Sequence, residues 1–334
     1  MRPISTLLFG AALCWSGIGL AAASSLEQAS ALLEQEDYQQ LHMLLEPAQR
    51  QYRRDASYWY LLGRAAMGLS DTAAAEKHLK KAAELQSDRA EYQFWYGQSS
   101  CNQAQNVNML RARGFAIRCR DAFAAAATLE PENLTYQRAL AQFHIQAPSI
   151  AGGDKKEALL IAQRLRQLDA LQGELLELEV HAANQDLAAF DALVGGSELL
   201  QTRPEPFVLR GFYQQQQDAH EQAIAEFEQA TQLSIDPDDK TAVAQVLMAW
   251  YQLGRSAVVG KTQLDKGIAA LQHYRSQLDT EQFASLPDMG WADLRLAQLY
   301  LLQEETELAR ALLEPLKASS QDQRILAEIN KLSL

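Results

Sequence analysis

Gly260-Lys261-Thr262 carries three groups that hold a nucleotide: backbone N–H donors, an ammonium and a hydroxyl. The complete phosphate-binding loop needs another glycine five positions before Gly260, and Arg255 stands there. Gly254 comes one place too early and no apolar strand leads into it, so a loop between helices is expected. His42, His78, His144, His181, His220 and His273 are scattered singly. None has a second histidine one helical turn away, so metal-ligand spacing is absent and no metal or other cofactor is expected. Gly195-Gly196-Ser197 lacks the second flanking glycine of a nucleophile elbow. Paired carboxylates abound, as they must in so acidic a chain, and specify nothing. No constellation for catalysis emerges.

Gln146–Ala158, QAPSIAGGDKKEA, interrupts two helical patterns with Pro148, Gly152-Gly153 and an Asp154-x-x-Glu157 pair. Proline disfavours helix just before it, paired glycines permit a tight reversal, and Asp154 with Glu157 is a capping box. These residues make a corner between two helices, with Asp154 starting the second.

The elements that position such corners are helical. Ala, Leu, Gln and Glu are abundant while Pro (9) and Gly (17) are sparse in 334 residues. The formal net charge of −12 gives no general attraction to nucleic acid or anionic lipid, and no basic stripe reverses that. Residues 1–23 have the form of a cleaved signal peptide: Met1-Arg2, an apolar run from Ile4 to Leu20, then Ala21-Ala22-Ala23. A retained anchor is the competing reading. Cleavage predicts export to the periplasm, no stable membrane insertion, and two remaining cysteines, Cys101 and Cys119.

Ala29, Gly63 and Gly97 stand 34 residues apart, and the same step joins Leu41 to Ala75, Leu45 to Leu79 and Ala48 to Ala82. The unit is clearest over Ala56–Asp88. Trp59, Leu62, Gly63 and Ala66 mark one helix, and Ala75, Leu79 and Ala82 the next, with Gly63 and Ala75 allowing close approach. This resembles the tetratricopeptide repeat, although Ala66 replaces its second aromatic and Ser87 its closing proline. Further copies run through Tyr96, Gly97, Phe123, Ala126 and Pro131; through Leu140, Ala141, Ala158, Ala162 and Leu165; through Phe207, Gly211, Ala223, Phe227 and Ala230; and through Leu296, Ala297, Tyr300, Ala309 and Leu313. The first of these is longer than the pattern by about ten residues and the second by about five. Residues 171–203 and 238–279 have the length and helical patterning with weaker signatures.

One hairpin cannot bury its apolar faces alone, so neighbours must stack. The expected fold is an all-α solenoid of about seven to eight hairpins, with an N-terminal array over 24–203, a C-terminal array over 204–334, and a closing helix after Ser320. The join is Val194–Pro206, where a glycine pair and two prolines crowd together. The long third repeat closing at Leu129-Glu130-Pro131-Glu132-Asn133, followed by Ala147-Pro148 and Gly152-Gly153, resembles a subfamily of exported bacterial tetratricopeptide proteins. It is more distantly similar to the regulator of microtubule dynamics proteins of animals.

In that family the first helix of each repeat lines the surface that contacts partners. Carried over by position, the implied contacts are Tyr60 and Arg64, then Phe94, Gln98 and Asn102, then Arg138 and Gln142. Aromatic, guanidinium and amide groups suit a protein or peptide partner held in a groove. The function expected is a noncatalytic interaction scaffold of the cell envelope. The alternative is a small-molecule or glycan-binding accessory of a transport or polysaccharide system. If Gly97 faces Cys119, then Cys101 lies a turn further on. Ordinary helix spacing then puts the two cysteine Cα atoms on the order of 10 Å apart. Two thiols in a helical core are expected, with a bridge requiring the insertion to shift that register.

Overall fold

The computed structural model describes residues 16–332, with side chains from Ser25 onward. Most of the expected leader, and its apolar run up to Cys14, lies outside the described residues. No described helix is long and apolar enough to cross a membrane.

Eighteen α-helices and no strand occur among the described residues. They are α1 (Ser16–Glu34), α2 (Tyr38–Leu45), α3 (Ala56–Gly68), α4 (Thr72–Leu85), α5 (Ala90–Gln105), α6 (Met109–Leu129), α7 (Leu134–Gln146), α8 (Lys155–Leu168) and α9 (Ala170–Asn184). They continue as α10 (Leu187–Gly196), α11 (Glu198–Gln201), α12 (Glu205–Gln216), α13 (His220–Thr231), α14 (Lys240–Gly260), α15 (Leu264–Gln277), α16 (Met289–Leu302), α17 (Thr306–Ser319) and α18 (Gln323–Ile329). Consecutive helices pack in pairs, α3 with α4, α5 with α6, α12 with α13, α14 with α15 and α16 with α17. The fold is an all-α solenoid. The chain divides into two compact units, one running to Ile161 and one beginning at Ala162.

Local chemistry explains the pairing. Glycines sit where helices touch: a Cβ on Gly63 would lie 2.5 Å from Leu79 Cγ, one on Gly211 2.5 Å from Phe227 Cε1, and one on Gly254 2.3 Å from Leu271 Cγ. Asp37, Asp55, Asp71, Asp169, Asp186, Asp239, Asp288 and Asp322 each accept a backbone N–H at a helix start. Part of the negative charge is therefore helix-capping charge, favourable at the positive end of the helix dipole. Six hairpin turns begin with a left-handed residue, Glu36, Ser70, Gln185, Asp218, Lys261 or Glu304, and the Lys261 turn holds a second, Gln263. Each is closed by an N–H bonding the carbonyl five residues back, as in Asp71 to Ala66. Gly260-Lys261-Thr262 is one of these turns, and the Thr262 hydroxyl donates to Glu221 at 2.9 Å. Ser197 of the glycine pair's neighbourhood caps α11 and donates to the buried Glu174.

The two enlarged repeats differ from this pattern. In the third, the extra residues are helical: α5 and α6 run on to a short turn over residues 106–108. In the fourth, Gly152 takes φ 97°, and a Cβ on Gly153 would fall 1.8 Å from the Ala147 carbonyl oxygen. Asp154 Oδ1 accepts the Lys156 and Glu157 N–H groups at 2.9 and 3.4 Å, starting α8 as its sequence predicts.

The expectation of two free thiols is overturned. Cys101 and Cys119 form a disulfide with Cα atoms 5.2 Å apart. Two assumptions fail together. Gly97 meets Phe123, one turn beyond the residue assumed to face it, its added Cβ lying 2.6 Å from Phe123 Cδ1. In antiparallel helices, four residues onward from Gly97 then faces four residues back from Phe123, which pairs Cys101 with Cys119. The missing side chain also brings the backbones closer than ordinary helix spacing, with the Cys119 carbonyl oxygen 3.2 Å from that Cβ position.

Candidate functional site

The first unit's site is assembled between α5 and α7. Gln93 Nε2 donates to the Ala83 and Ser87 carbonyls at 3.4 and 3.2 Å, tying α5 to the end of α4. Gln137 makes the matching pair with Ala127 and Pro131, both at 3.0 Å, tying α7 to the end of α6. These amides satisfy carbonyls left open at helix ends and set where each following helix starts.

Phe94, Gln98, Asn102, Arg138 and Gln142 all line one cleft of about 430 Å³. The Cys101 half of the disulfide and Phe143 also line it. Phe94 packs at 5.1 Å from the Tyr136 ring and 5.7 Å from Phe123, which places it as a fixed wall. Gln98 Nε2 donates to Asn102 Oδ1 at 3.3 Å, and Gln146 Nε2 donates to Gln142 Oε1 at 3.2 Å. Phe94 also borders a second cleft of about 620 Å³ toward the N-terminal ends of α5 and α7, where Arg89, Glu91, Glu130 and Tyr136 meet solvent.

Tyr60 and Arg64 do not reach the first cleft. Tyr60 is 8% exposed, stacks on Tyr92 at 4.9 Å, and donates its hydroxyl hydrogen to Glu91 at 2.7 Å. Burial, then the Glu91 hydrogen bond, pushes this phenol well above its ordinary pKa. Arg64 Nη1 donates to the Tyr60 oxygen at 2.8 Å, while its guanidinium lies 3.4 Å from the Trp95 ring centroid. Both side chains are spent joining α3 to α5. Sequence position placed them on the first-helix surface, but the stacking depends on Trp95, which belongs to the next repeat.

The cleft offers amide donors and acceptors beside an arginine and three phenylalanine rings. That set matches an extended backbone with apolar or acidic side chains. It contains no nucleophile poised beside a base. Among the described residues no cluster of three His, Cys, Asp or Glu side chains is arranged to hold a metal. His78 stacks on Trp59 at 5.3 Å, and burial, followed by repulsion from Lys77, lowers its pKa to about 4. His144 is buried, and burial lowers it too. Sequence reasoning missed the disulfide in the cleft wall. The sequence gives no sign of it until Gly97 is known to meet Phe123, a register that brings Cys101 opposite Cys119.

Residues 56–89 match the tetratricopeptide repeat family, over the stretch where the repeat is clearest in the sequence. No curated protein matches the chain. A tetratricopeptide repeat protein from Parabacteroides merdae is similar at 9% identity and TM-score 0.50, covering 92% of this chain and 97% of that one. A thermophilic tetratricopeptide protein from Thermus thermophilus aligns at 12% identity and TM-score 0.39, covering 68% and 97%. The first likeness supports the helical-repeat fold found here.

Proposed function

We propose that this chain is a noncatalytic scaffold of a bacterial cell envelope, exported to the periplasm, which holds an extended peptide segment of a protein partner between α5 and α7. The tetratricopeptide repeat is in general a protein-interaction fold. The observation that carries the peptide site is the convergence of Phe94, Gln98, Asn102, Arg138 and Gln142 on one cleft. Amides one turn apart on facing helices offer paired donors and acceptors to a backbone. Phe94 gives an apolar side chain something to pack on, and Arg138 gives an acidic one a counter-charge. The Cys101–Cys119 bond beside them supports an oxidising compartment, since such bonds persist outside the cytosol.

Asn102→Arg tests this by filling the cleft from a half-buried position on α5, giving up the Gln98–Asn102 hydrogen bond but no buried apolar side chain. Residues 24–334 would be used as bait in a periplasmic extract, with mass spectrometry of what is retained. The expected result is a protein held by the wild type and lost by the variant at unchanged melting temperature. Identical retained sets would overturn the cleft as the contact surface.

A further inference from the structure

The α5–α6 hairpin overruns its neighbours at one end. Gly63 meets Leu79 and Gly97 meets Phe123, which aligns α4 with α6 and puts Ala75 and Cys119 at one position. In the repeat pattern Ala158 of α8 takes that position too. α4 starts at Thr72, three residues before Ala75, and α8 starts at Lys155, three before Ala158. α6 starts at Met109, ten before Cys119. It therefore begins seven residues early, roughly 10 Å at the rise of an α-helix. α5 runs on with it, ending eight residues after Gly97 where α3 ends five after Gly63.

Nothing covers this overhang. Met109 is 89% exposed and Leu110 94%, the two largest values among the described large hydrophobic residues. A Cβ added to Gly114 would meet no atom within 4 Å. Arg111 and Arg113 are exposed, and neither has an ion pair among the described residues. The arginines further along α6 are engaged. Arg118 pairs with Glu76 at 3.1 Å and lies over the Phe115 ring, and Arg120 pairs with Asp121 at 2.7 Å. No acidic residue occurs between Glu91 and Asp121, so the overhang is cationic in a chain of net charge −12. Asp71 and Asp154, which start the neighbouring α4 and α8, stand behind it with backbone N–H groups bonded to their carboxylates.

Shape and charge together select the occupant. Neither cleft of the first unit is lined by residues 106–114, so the tip enters something rather than holding it. Two side chains and their neighbours fall short of the about 800 Å² per partner that a specific protein interface buries. A fluid surface needs no matching pocket. At the boundary of a bilayer, apolar groups sit roughly 5–10 Å deep while guanidiniums meet headgroup phosphates. The length of the overhang matches that depth. It also holds the acidic remainder of the unit back by about one screening length, which is about 8 Å at physiological ionic strength.

We propose that the α5–α6 tip, through Met109, Leu110, Arg111 and Arg113, docks reversibly on an anionic lipid bilayer. This is surface contact rather than a spanning segment, and it needs neither the α5–α7 peptide cleft nor its occupant.

Sedimentation of residues 24–334 with lipid vesicles tests it; the apolar run before Ser24 is left out because it would partition by itself. Vesicles of phosphatidylethanolamine with phosphatidylglycerol should bind the protein at least about ten-fold more tightly than vesicles of phosphatidylcholine. Added salt should weaken that binding. Arg111→Glu with Arg113→Glu, and separately Leu110→Asp, should each weaken it at least about ten-fold at unchanged helical circular dichroism. Ile150→Asp is the matched control. Ile150 is 72% exposed on the corner before α8, so the change adds a carboxylate away from the tip and should weaken binding less than about two-fold. Amide exchange at residues 106–114 of the wild type should slow with the anionic vesicles, a readout that requires no variant to fold. Equal binding to both vesicle types, wild-type binding by either folded tip variant, an equal loss with Ile150→Asp, or unslowed exchange at the tip would each overturn the assignment. So would an absence of anionic-vesicle binding, even where the tip variants changed the proteins retained from a periplasmic extract, because the tip would then be a protein contact.

Discussion

Tyr60 and Arg64 in the first unit and Tyr251 and Arg255 in the second occupy the same register. The tyrosine lies three residues before a contact glycine, Gly63 or Gly254, and the arginine one residue after it. Their surroundings differ. The Tyr60 hydroxyl is taken by Glu91 and the Arg64 guanidinium by the Trp95 face, so the pair joins two repeats. Arg255 finds the Gln215 and Gln252 amides instead of an aromatic face, and it lines a cleft with Tyr251 beside the segment before α16. An identical pair in the same register thus joins two repeats in one unit and lines an open cleft in the other. The neighbouring repeat decides which.

The units also differ in how their long hairpins are held. Both α6 and α14 are 21 residues long. α6 is stapled to α5 by Cys101–Cys119, whereas α14 relies on packing around Phe227, Leu271 and Tyr274. Breaking the staple is the strongest way to test that contrast. Cys101→Ser with Cys119→Ser opens a link across 18 residues of sequence, and such closures contribute about 3 kcal/mol. Amide hydrogen exchange should show α5 and α6 losing protection while α14 and α15 keep theirs. Unchanged protection of α5 and α6 would mean that packing alone holds the first unit too.

A smaller effect sharpens the arginine comparison. Trp95→Leu removes the face beneath Arg64, and its cost in urea unfolding should be about 1 kcal/mol, the usual scale of a partly desolvated cation–π contact. In a double-mutant cycle with Arg64→Gln the two losses should overlap. Full additivity would show that Arg64 and Trp95 are neighbours without coupling.

The smallest effect is acid sensitivity in the first unit. His78 titrates near 6.5 when unfolded and at about 4 in the fold. Its neutral form is thus favoured by folding. The corresponding stability is complete above pH 6.5 and is lost as pH falls toward 4. His78→Phe should flatten the melting temperature across that interval relative to wild type. A variant whose melting temperature falls as steeply as the wild type's would remove His78 from the account.

Much of the α5–α7 cleft was legible because it follows register. Once Gly97 and Ala141 were aligned with Gly63, the positions three before and one after them named Phe94, Gln98, Arg138 and Gln142 without coordinates. The same rule named Tyr60 and Arg64 as contacts, and there it could not foresee Trp95 and Glu91, whose side chains arrive from the following helix. Tyr251 and Arg255 went unnamed because residues 238–279 lack most of the repeat's marker residues, although Gly254 makes the same close contact as Gly63.

By itself the sequence determined the periodicity, the corners and the helix starts. A small residue recurring at 34 positions in the first repeats, an aspartate at many of the helix entrances and a glycine pair after Pro148 act through the backbone within a few residues of themselves. Tertiary structure alone decided that Cys101 meets Cys119, that Arg64 is covered and that Arg255 lines an open cleft. Each of those outcomes depends on the phase between two helices. A shift of one turn there moves every facing pair, and no residue on either helix encodes it alone.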